Sequence, residues 1–462
     1  MPDPWMQDAC SLVDAFRAGE LSPVEALDAS LAAIDASTLN AFSFLDADTA
    51  RATASRADVS LPFGGVPIGI KELDHVAGWP FTYASLAFQE QRSDVDATQV
   101  ARLRTAGVVP VGLTTASEFG FVGYTSTRLN GTTRNPWAPD RTPGGSSGGS
   151  AAAVGGGLVP LCTAGDGGGS IRIPASFCGL LGLKHTYGRI PRGPFANGEP
   201  LTETVGCVSR SVRDTARWLD VCNGYDGHDR FSLPRVDGWE AGLGTRPLAG
   251  ARAAIAPDLG GYAVVHPALA ERVQSGAEEL AKLAGLELTD VALDLPEAGF
   301  EWALAGLVDL TREFGHLTPD QRELLTDELR MGIEVGPHFT IDHMVGVERF
   351  RMAMIEALAR VFEQVDFVLC ATNPFEPFVA AGPTPGVVGD ALVNPFNAGA
   401  LTIPANIAGY PAISIPLGPD DDGYPTGLQV YARHHDEAWL LDLALAMERE
   451  RPWPLVAPEA PV

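Results

Sequence analysis

Two glycine-dense loops, each carrying serine, constrain this chain more than any other feature. Gly144-Gly-Ser-Ser-Gly-Gly-Ser150 leads into a helix-forming run at Ala151–Val154. A buried apolar strand, Leu158–Ala164, then delivers Gly165-Asp-Gly-Gly-Gly-Ser170. Ser146 and Ser170 stand 24 residues apart, one in each loop of a single helix–strand crossover. Glycine at this density means a backbone in conformations closed to other residues, or in close approach to something else. A tight turn explains one such loop. It explains poorly a pair that flanks one crossover and presents a hydroxyl on each side.

Three chemistries are open to glycine-serine loops, and two fit badly. Phosphate cradles at helix N-termini need Gly-x-x-x-x-Gly-Lys-Ser/Thr or Gly-x-Gly-x-x-Gly. No lysine follows either loop, and the dinucleotide pattern is absent. Gly144-Gly-Ser146-Ser-Gly148 matches Gly-x-Ser-x-Gly, but that motif requires a buried strand leading into it. The lead-in here, Asn135-Pro-Trp-Ala-Pro-Asp-Arg-Thr-Pro143, cannot be a central strand. His434-His435, before the last helix, lacks an acidic orienter in the expected order. Serine chemistry without histidine remains, and a serine nucleophile needs a base.

Lysine can be that base, and lysine is scarce. The 462 residues hold three, Lys71, Lys184 and Lys282, against 29 Arg. Lys71 closes the apolar strand Val66–Ile70. A strand-end lysine is usually solvated, so its position upstream of two serine loops is what makes it a candidate.

Composition narrows the class further. At 45% hydrophobic and 19% charged residues the chain has ample apolar surface for a core, which excludes disorder as the main state. The net charge of −26 disfavours nucleic acid and anionic membranes as partners. The six cysteines form no Cys-x-x-Cys pair and no metal-ligand spacing with histidine. They read as small core residues, so no metal and no cofactor are expected. No signal-peptide pattern and no long apolar window are present, which predicts a cytoplasmic protein without a membrane span.

Along the chain, Ser22-Pro-Val-Glu25 is a capping box opening the second of two amphipathic helices within 5–35. Strands are expected at 41–45, 65–70 and 108–111, and 125–143 as a long loop. Residues 225–365 read as mostly helical, with helices at 264–283, 299–314, 319–333 and 341–365. Strands return at 367–370, 412–415 and 427–431, and a last helix covers 437–448. Strands interleaved with helices predict an α/β fold with a covered central sheet.

Taken together, Gly65-Val-Pro-Ile-Gly-Ile-Lys71, Arg134-Asn-Pro-Trp137, Pro143–Val154, Asp166–Ala175 and Gly182–Arg189 resemble the amidase signature family. Leu401–Pro416 and Gly427-Leu-Gln429 extend the match, so it runs nearly end to end. The resemblance implies one large domain with a mixed twisted sheet covered by helices on both faces. Its parts would be N-terminal helices (1–60), a signature core (61–224), a variable substrate region (225–365) and C-terminal strands with a helix (366–462). It also implies a catalytic triad: Ser170 as nucleophile, Ser146 as a bridging serine after a cis peptide, and Lys71 as base. Backbone N–H groups of Gly167, Gly168, Gly169 and Ser170 would form the oxyanion hole, where one donor is worth about 2.7–4 kcal/mol of barrier. Asp166 and Arg172 would support the nucleophile loop, and Ser147 would make only local hydrogen bonds. Lys71 must be neutral to act. Moving it from its ordinary value to 7–8 costs about 4 kcal/mol, which burial must supply.

The sequence departs from the family at Glu72, where Asp is usual, at Gly167, where Thr is usual, and at Gly112-Leu-Thr-Thr115. The reaction implied is hydrolysis of small linear amides through an acyl-enzyme. Carbamate, anilide and ester cleavage are alternatives with the same triad. A glutaminase component of a tRNA-dependent amidotransferase is the second alternative, disfavoured by Gly399-Ala400 where an acid would hold the substrate ammonium. Small-molecule substrates are the expected partners, and a homodimer is left open. Phe119, Phe121, Phe177, Phe375, Phe378 and Phe396 are candidates for an apolar pocket, and loop 75–85 and region 225–365 for its walls.

Overall fold

The computed structural model describes residues 4–195, 201–297 and 300–461. Its centre is an eleven-stranded mixed sheet. In chain order the strands are β1 (Phe42–Leu45), β2 (Pro67–Lys71), β3 (Val109–Thr114), β4 (Leu161–Asp166), β5 (Leu181–Lys184) and β6 (Thr204–Ser209). The remaining five are β7 (Arg252–Ile255), β8 (Glu287–Leu288), β9 (Phe367–Ala371), β10 (Ala412–Pro419) and β11 (Pro425–Ala432). Their order across the sheet is β1-β3-β2-β4-β6-β5-β10-β11-β9-β7-β8. β3, β2 and β4 run parallel, and β4 and β6 pair antiparallel.

Every residue of β2, β3, β4, β5 and β9 is buried, as expected of strands covered on both faces. Successive side chains of β4 serve different layers. Leu161 joins one large apolar core, while Cys162 and Ala164 join a second with Val109 and Val111. The six cysteines are buried and free. Among the described residues, no helix is long and apolar enough to cross a membrane.

The local signals at the N-terminus hold. α1 is Ala9–Ala18 and α2 is Pro23–Ala36, with both hydrogen bonds of the Ser22–Glu25 capping box formed. The crossover between the serine loops is helix α3 (Gly148–Gly155) and strand β4. A short helix, α4 (Arg172–Phe177), follows Ser170.

Four parts of the sequence reading change. The stretch 125–143 contains a small ribbon, Ser126–Thr127 with Gly131–Thr132. The region 225–365 is less helical than its pattern implies, because it supplies β7 and β8 to the sheet edge. β5 and β6 are strands that the sequence pattern does not announce, since glycine interrupts the apolar runs at Gly182 and Gly206. The helix expected over 319–333 breaks into Pro319–Arg322 and Asp327–Val335. Thr318 and Thr326 each start a helix, and the break buries Leu325 while Arg128 Nη1 donates to the Glu323 carbonyl at 2.6 Å. The helix expected from Gly299 begins as α5 (Phe300–Phe314), Gly299 itself lying outside the described residues.

Candidate active site

The parallel strands β2 and β4 end side by side, and that placement assembles the site. Lys71 is the last residue of β2 and only 4% exposed. Its N–H donates to Thr163 Oγ1 at 2.7 Å. Its Nζ donates to Ser146 Oγ at 2.8 Å. Burial pushes the ammonium down to about 8, against the opposing charges of Glu203, Asp74, Asp166 and Glu72. The strand-end lysine is turned inward rather than solvated.

Lys184 is the instructive comparison. It too is buried and pushed down by burial, to about 7. Its Nζ donates to the carbonyls of His185 and Tyr410. A carbonyl holds no proton to give up, whereas a serine hydroxyl does. Of the two buried lysines, only Lys71 faces a group it can deprotonate.

Ser146 sits in the first loop behind a cis peptide, Gly145–Ser146. A Cβ at Gly145 would lie 2.6 Å from the Tyr124 nitrogen, so the loop can pack there only without a side chain. Ser147 faces away. Its hydroxyl donates to the Gly165 carbonyl at 3.2 Å and accepts from the Gly165 N–H at 3.3 Å, tying the first loop to β4. That bond spans 18 residues, so Ser147 is a clamp between the loops rather than a local cap.

Asp166, at the end of β4, organises the second loop. It pairs with Arg172 at 2.9 Å, and both side chains are completely buried. Burial alone would raise the Asp166 carboxyl, but Arg172 outweighs it and holds the group well below the usual carboxylate range. Arg172 also donates to the Thr402 carbonyl (3.0 Å), Gln429 Oε1 (2.7 Å) and Asn406 Oδ1 (2.7 Å). Asn406 Nδ2 returns to Asp166 Oδ1 at 2.8 Å. This closed network gives the late segments 401–416 and 427–429 a physical reason to resemble the family. Thr402, Asn406 and Gln429 lie within those motifs, but their supporting roles emerge only from the fold.

The Gly168–Gly169 peptide is held at both ends. Thr402 Oγ1 donates to the Gly168 carbonyl at 2.7 Å, and the Gly169 N–H donates to Asp166 Oδ1 at 2.8 Å. This corrects the expected oxyanion hole. The Gly169 N–H is turned inward onto Asp166 and is not offered to a substrate. The N–H groups of Gly167, Gly168 and Ser170 have no acceptor among the described residues. Ser170 is partly exposed at the start of the turn into α4. Lys71 and Ser146 are hydrogen-bonded, while no hydrogen bond joins Ser146 to Ser170 among the described residues.

Around this centre, Glu72 accepts from the Ala116 N–H at 2.6 Å and from Asn130 Nδ2, so its longer side chain is tied to the neighbouring loops. Burial raises its carboxyl to about 7. Asp74 accepts from Thr163 Oγ1 at 2.6 Å and from Gln99, and burial raises it to about 6. Trp302 of α5 lies over the second loop, where a Cβ at Gly168 would meet its Cζ2 at 2.8 Å.

The phenylalanines divide. Phe119 packs with Tyr83, Phe88 and Phe314, its ring 4.1 Å from that of Phe314 on α5. Its neighbour Gly120 stands against Ser146, a Cβ there falling 3.3 Å from the hydroxyl. Phe177, Phe375 and Phe378 form a separate small core with Ile173 and Val388. His434 is stacked on Tyr410 and bonded to the Ala408 carbonyl, and His435 to Arg189, so neither serves a serine.

The amidase family profile matches residues 25–441. The chain belongs to the amidase family. A glutamyl-tRNA(Gln) amidotransferase component from Synechococcus sp. (strain RCC307) is 35% identical over 97% of this chain and 98% of its own. A bacterial aryl acylamidase of the amidase signature family superposes with a TM-score of 0.90 at 26% identity, covering 98% of this chain and 97% of the other. The corresponding amidotransferase component from Thermotoga maritima superposes with a TM-score of 0.78 at 25% identity, over 99% and 98%. Sequence and shape thus lean toward different relatives within one amidohydrolase class.

Proposed function

We propose that this chain is a stand-alone serine amidohydrolase for small apolar or aryl amides. The observation that carries the reading is the buried Lys71 Nζ at 2.8 Å from Ser146 Oγ. Neutral Lys71 takes the Ser146 proton as Ser146 takes that of Ser170. The Ser170 oxygen bonds to the substrate carbonyl carbon, and the oxyanion rests on the N–H groups of Gly167, Gly168 and Ser170. The proton returns through Ser146 to the leaving nitrogen as the C–N bond breaks. Water then attacks the acyl-enzyme by the same relay and releases the acid. Hydrogen bonds of such relays often tighten only with the reacting group in place, which accommodates the open Ser146–Ser170 leg.

The aryl preference is supported by the Tyr83–Phe88–Phe119–Phe314 cluster beside Gly120 and by Trp302 over Gly168. Carbamates and esters pass through the same tetrahedral oxyanion and belong to the same test. The amidotransferase reading is favoured by the 35% identity to the Synechococcus protein, but Gly399-Ala400 offers no acid for a substrate ammonium. The deciding experiment is a panel of amides, anilides, aryl esters and aryl carbamates on the protein and on Ser170→Ala. Turnover lost in the variant supports the hydrolase. Glutamine hydrolysis only with added partner proteins overturns it.

A further inference from the structure

One charged residue outside the implied triad has a direct line to it. Lys71 ends β2, Glu203 immediately precedes β6, and β4 lies between the two strands. The register pairs Gly165 with Val205 and Asp166 with Thr204, which sets Glu203 beside the start of the second loop. Gly165 has no side chain to fill the space between its neighbours. A Cβ there would lie 3.6 Å from Lys71 Nζ and 3.8 Å from Glu203 Oε1, so both charged ends border the same gap. Glu203 is half exposed, and its carboxylate is anchored by Arg192 Nη1 at 2.9 Å.

We propose that Glu203 is a positioning residue that faces Lys71 across the Gly165 gap and stabilises the ammonium formed when Lys71 takes the relayed proton. The proposal rests on the reading of Lys71 as base. The proton leaves Ser170 Oγ, passes to Ser146 Oγ and ends on Lys71 Nζ, while the Ser170 oxygen bonds to carbon. A positive charge therefore appears on a buried nitrogen during acylation. Glu72 and Asp74 from its own segment and Asp166 from β4 also face that nitrogen, but Glu203 opposes the effect of burial most strongly. Besides Lys71, the charges facing Glu203 itself are Arg192, Asp74 and Asp309 of α5. Each of the other three carboxylates is committed to other partners, Glu72 to Ala116 and Asn130, Asp74 to Thr163 and Gln99, and Asp166 to Arg172.

The scarcity of lysine makes this directly measurable. Protein labelled with 13Cε-lysine gives three signals, from Lys71, Lys184 and Lys282, and K71M identifies the first. In Glu203→Gln the Lys71 titration midpoint falls by about half a pH unit, a size set by a half-screened charge at this range. In Glu203→Asp, which keeps the charge, it stays within about 0.2 unit of the wild type. Lys184 moves in neither. In turnover, the acidic limb of kcat/KM for Glu203→Gln shifts the same way. Activity at pH 6 rises about twofold while the plateau near pH 9.5 falls about twofold, because a less basic amine is a weaker acceptor. An unmoved Lys71 midpoint in Glu203→Gln overturns the proposal, as does an equal shift in Glu203→Asp. A protein that turns over no amide fails the base reading instead, and the titration still reports on Glu203.

Discussion

Replacing Lys71 by methionine separates stability from activity, and the size of the effect follows from burial. The side chain is 4% exposed, and burial brings its ammonium from 10.5 to about 8. That interval, at 1.36 kcal/mol per unit, is about 3 kcal/mol. The unfolded chain keeps its proton up to 10.5 and the folded chain only up to about 8. Below pH 8 both forms are protonated, and the folded state bears the full cost of a buried ammonium. Between pH 8 and 10.5 the unfolded chain binds the extra proton, so wild-type stability rises with pH and the cost disappears. Methionine fills similar space without charge, but leaves the Ser146 hydroxyl without its donor, a loss of about 1 kcal/mol. K71M is therefore more stable than the wild type by about 2 kcal/mol at pH 7 and less stable by about 1 kcal/mol at pH 10.5, with no turnover at either. Urea unfolding of both proteins at pH 7, 8.5 and 10 measures the gap; groups remote from Lys71 cancel in the difference, and the rise from pH 8.5 to 10 lies above the range in which Glu72 and Asp74, which Lys71 lowers, titrate. A gap that does not change with pH refutes the account of Lys71, as does a K71M protein that is less stable at pH 7.

Three other outcomes follow from the same geometry. Arg172→Met leaves Asp166 buried and unpaired, and urea unfolding should record a loss of about 3–5 kcal/mol together with loss of activity. Ser147→Ala removes the clamp on Gly165 and costs about 1–2 kcal/mol while kcat/KM stays within about twofold; Ser146→Ala, by contrast, loses roughly a hundredfold or more. The kcat/KM of the wild type rises about tenfold per pH unit up to about pH 8 and levels above it, because only neutral Lys71 accepts a proton. A profile flat from pH 6 to 9 contradicts that assignment.

Much of the site is legible in the sequence because its parts are local. The two serine loops, the strand-end lysine and the capping box at Ser22 each occupy a few consecutive residues whose chemistry dictates their conformation. The α/β class is equally legible, since apolar runs for strands alternate with helical periodicity. What escapes a sequence reading is non-local. β5 and β6 are interrupted by glycine, and they become strands only by pairing with β4, β10 and each other. The edge strand β8 and its neighbour β7 lie in a region whose helical pattern dominates its sequence.

The oxyanion loop marks the same division. The sequence by itself determined that Gly167, Gly168, Gly169 and Ser170 offer consecutive N–H groups without glycine side chains in the way, and that Lys71, Ser146 and Ser170 supply the amine and hydroxyls a proton relay requires. Only the tertiary structure decided which N–H groups are available. Asp166 takes that of Gly169 three residues on, while Arg172 and Asn406 hold the carboxylate and Thr402 and Gln429 fix Arg172 from segments more than two hundred residues away. Burial of Lys71 is likewise a property of the packed sheet, and no local pattern encodes it. A pKa depends on everything that excludes water around a group, whereas a motif records only its neighbours along the chain.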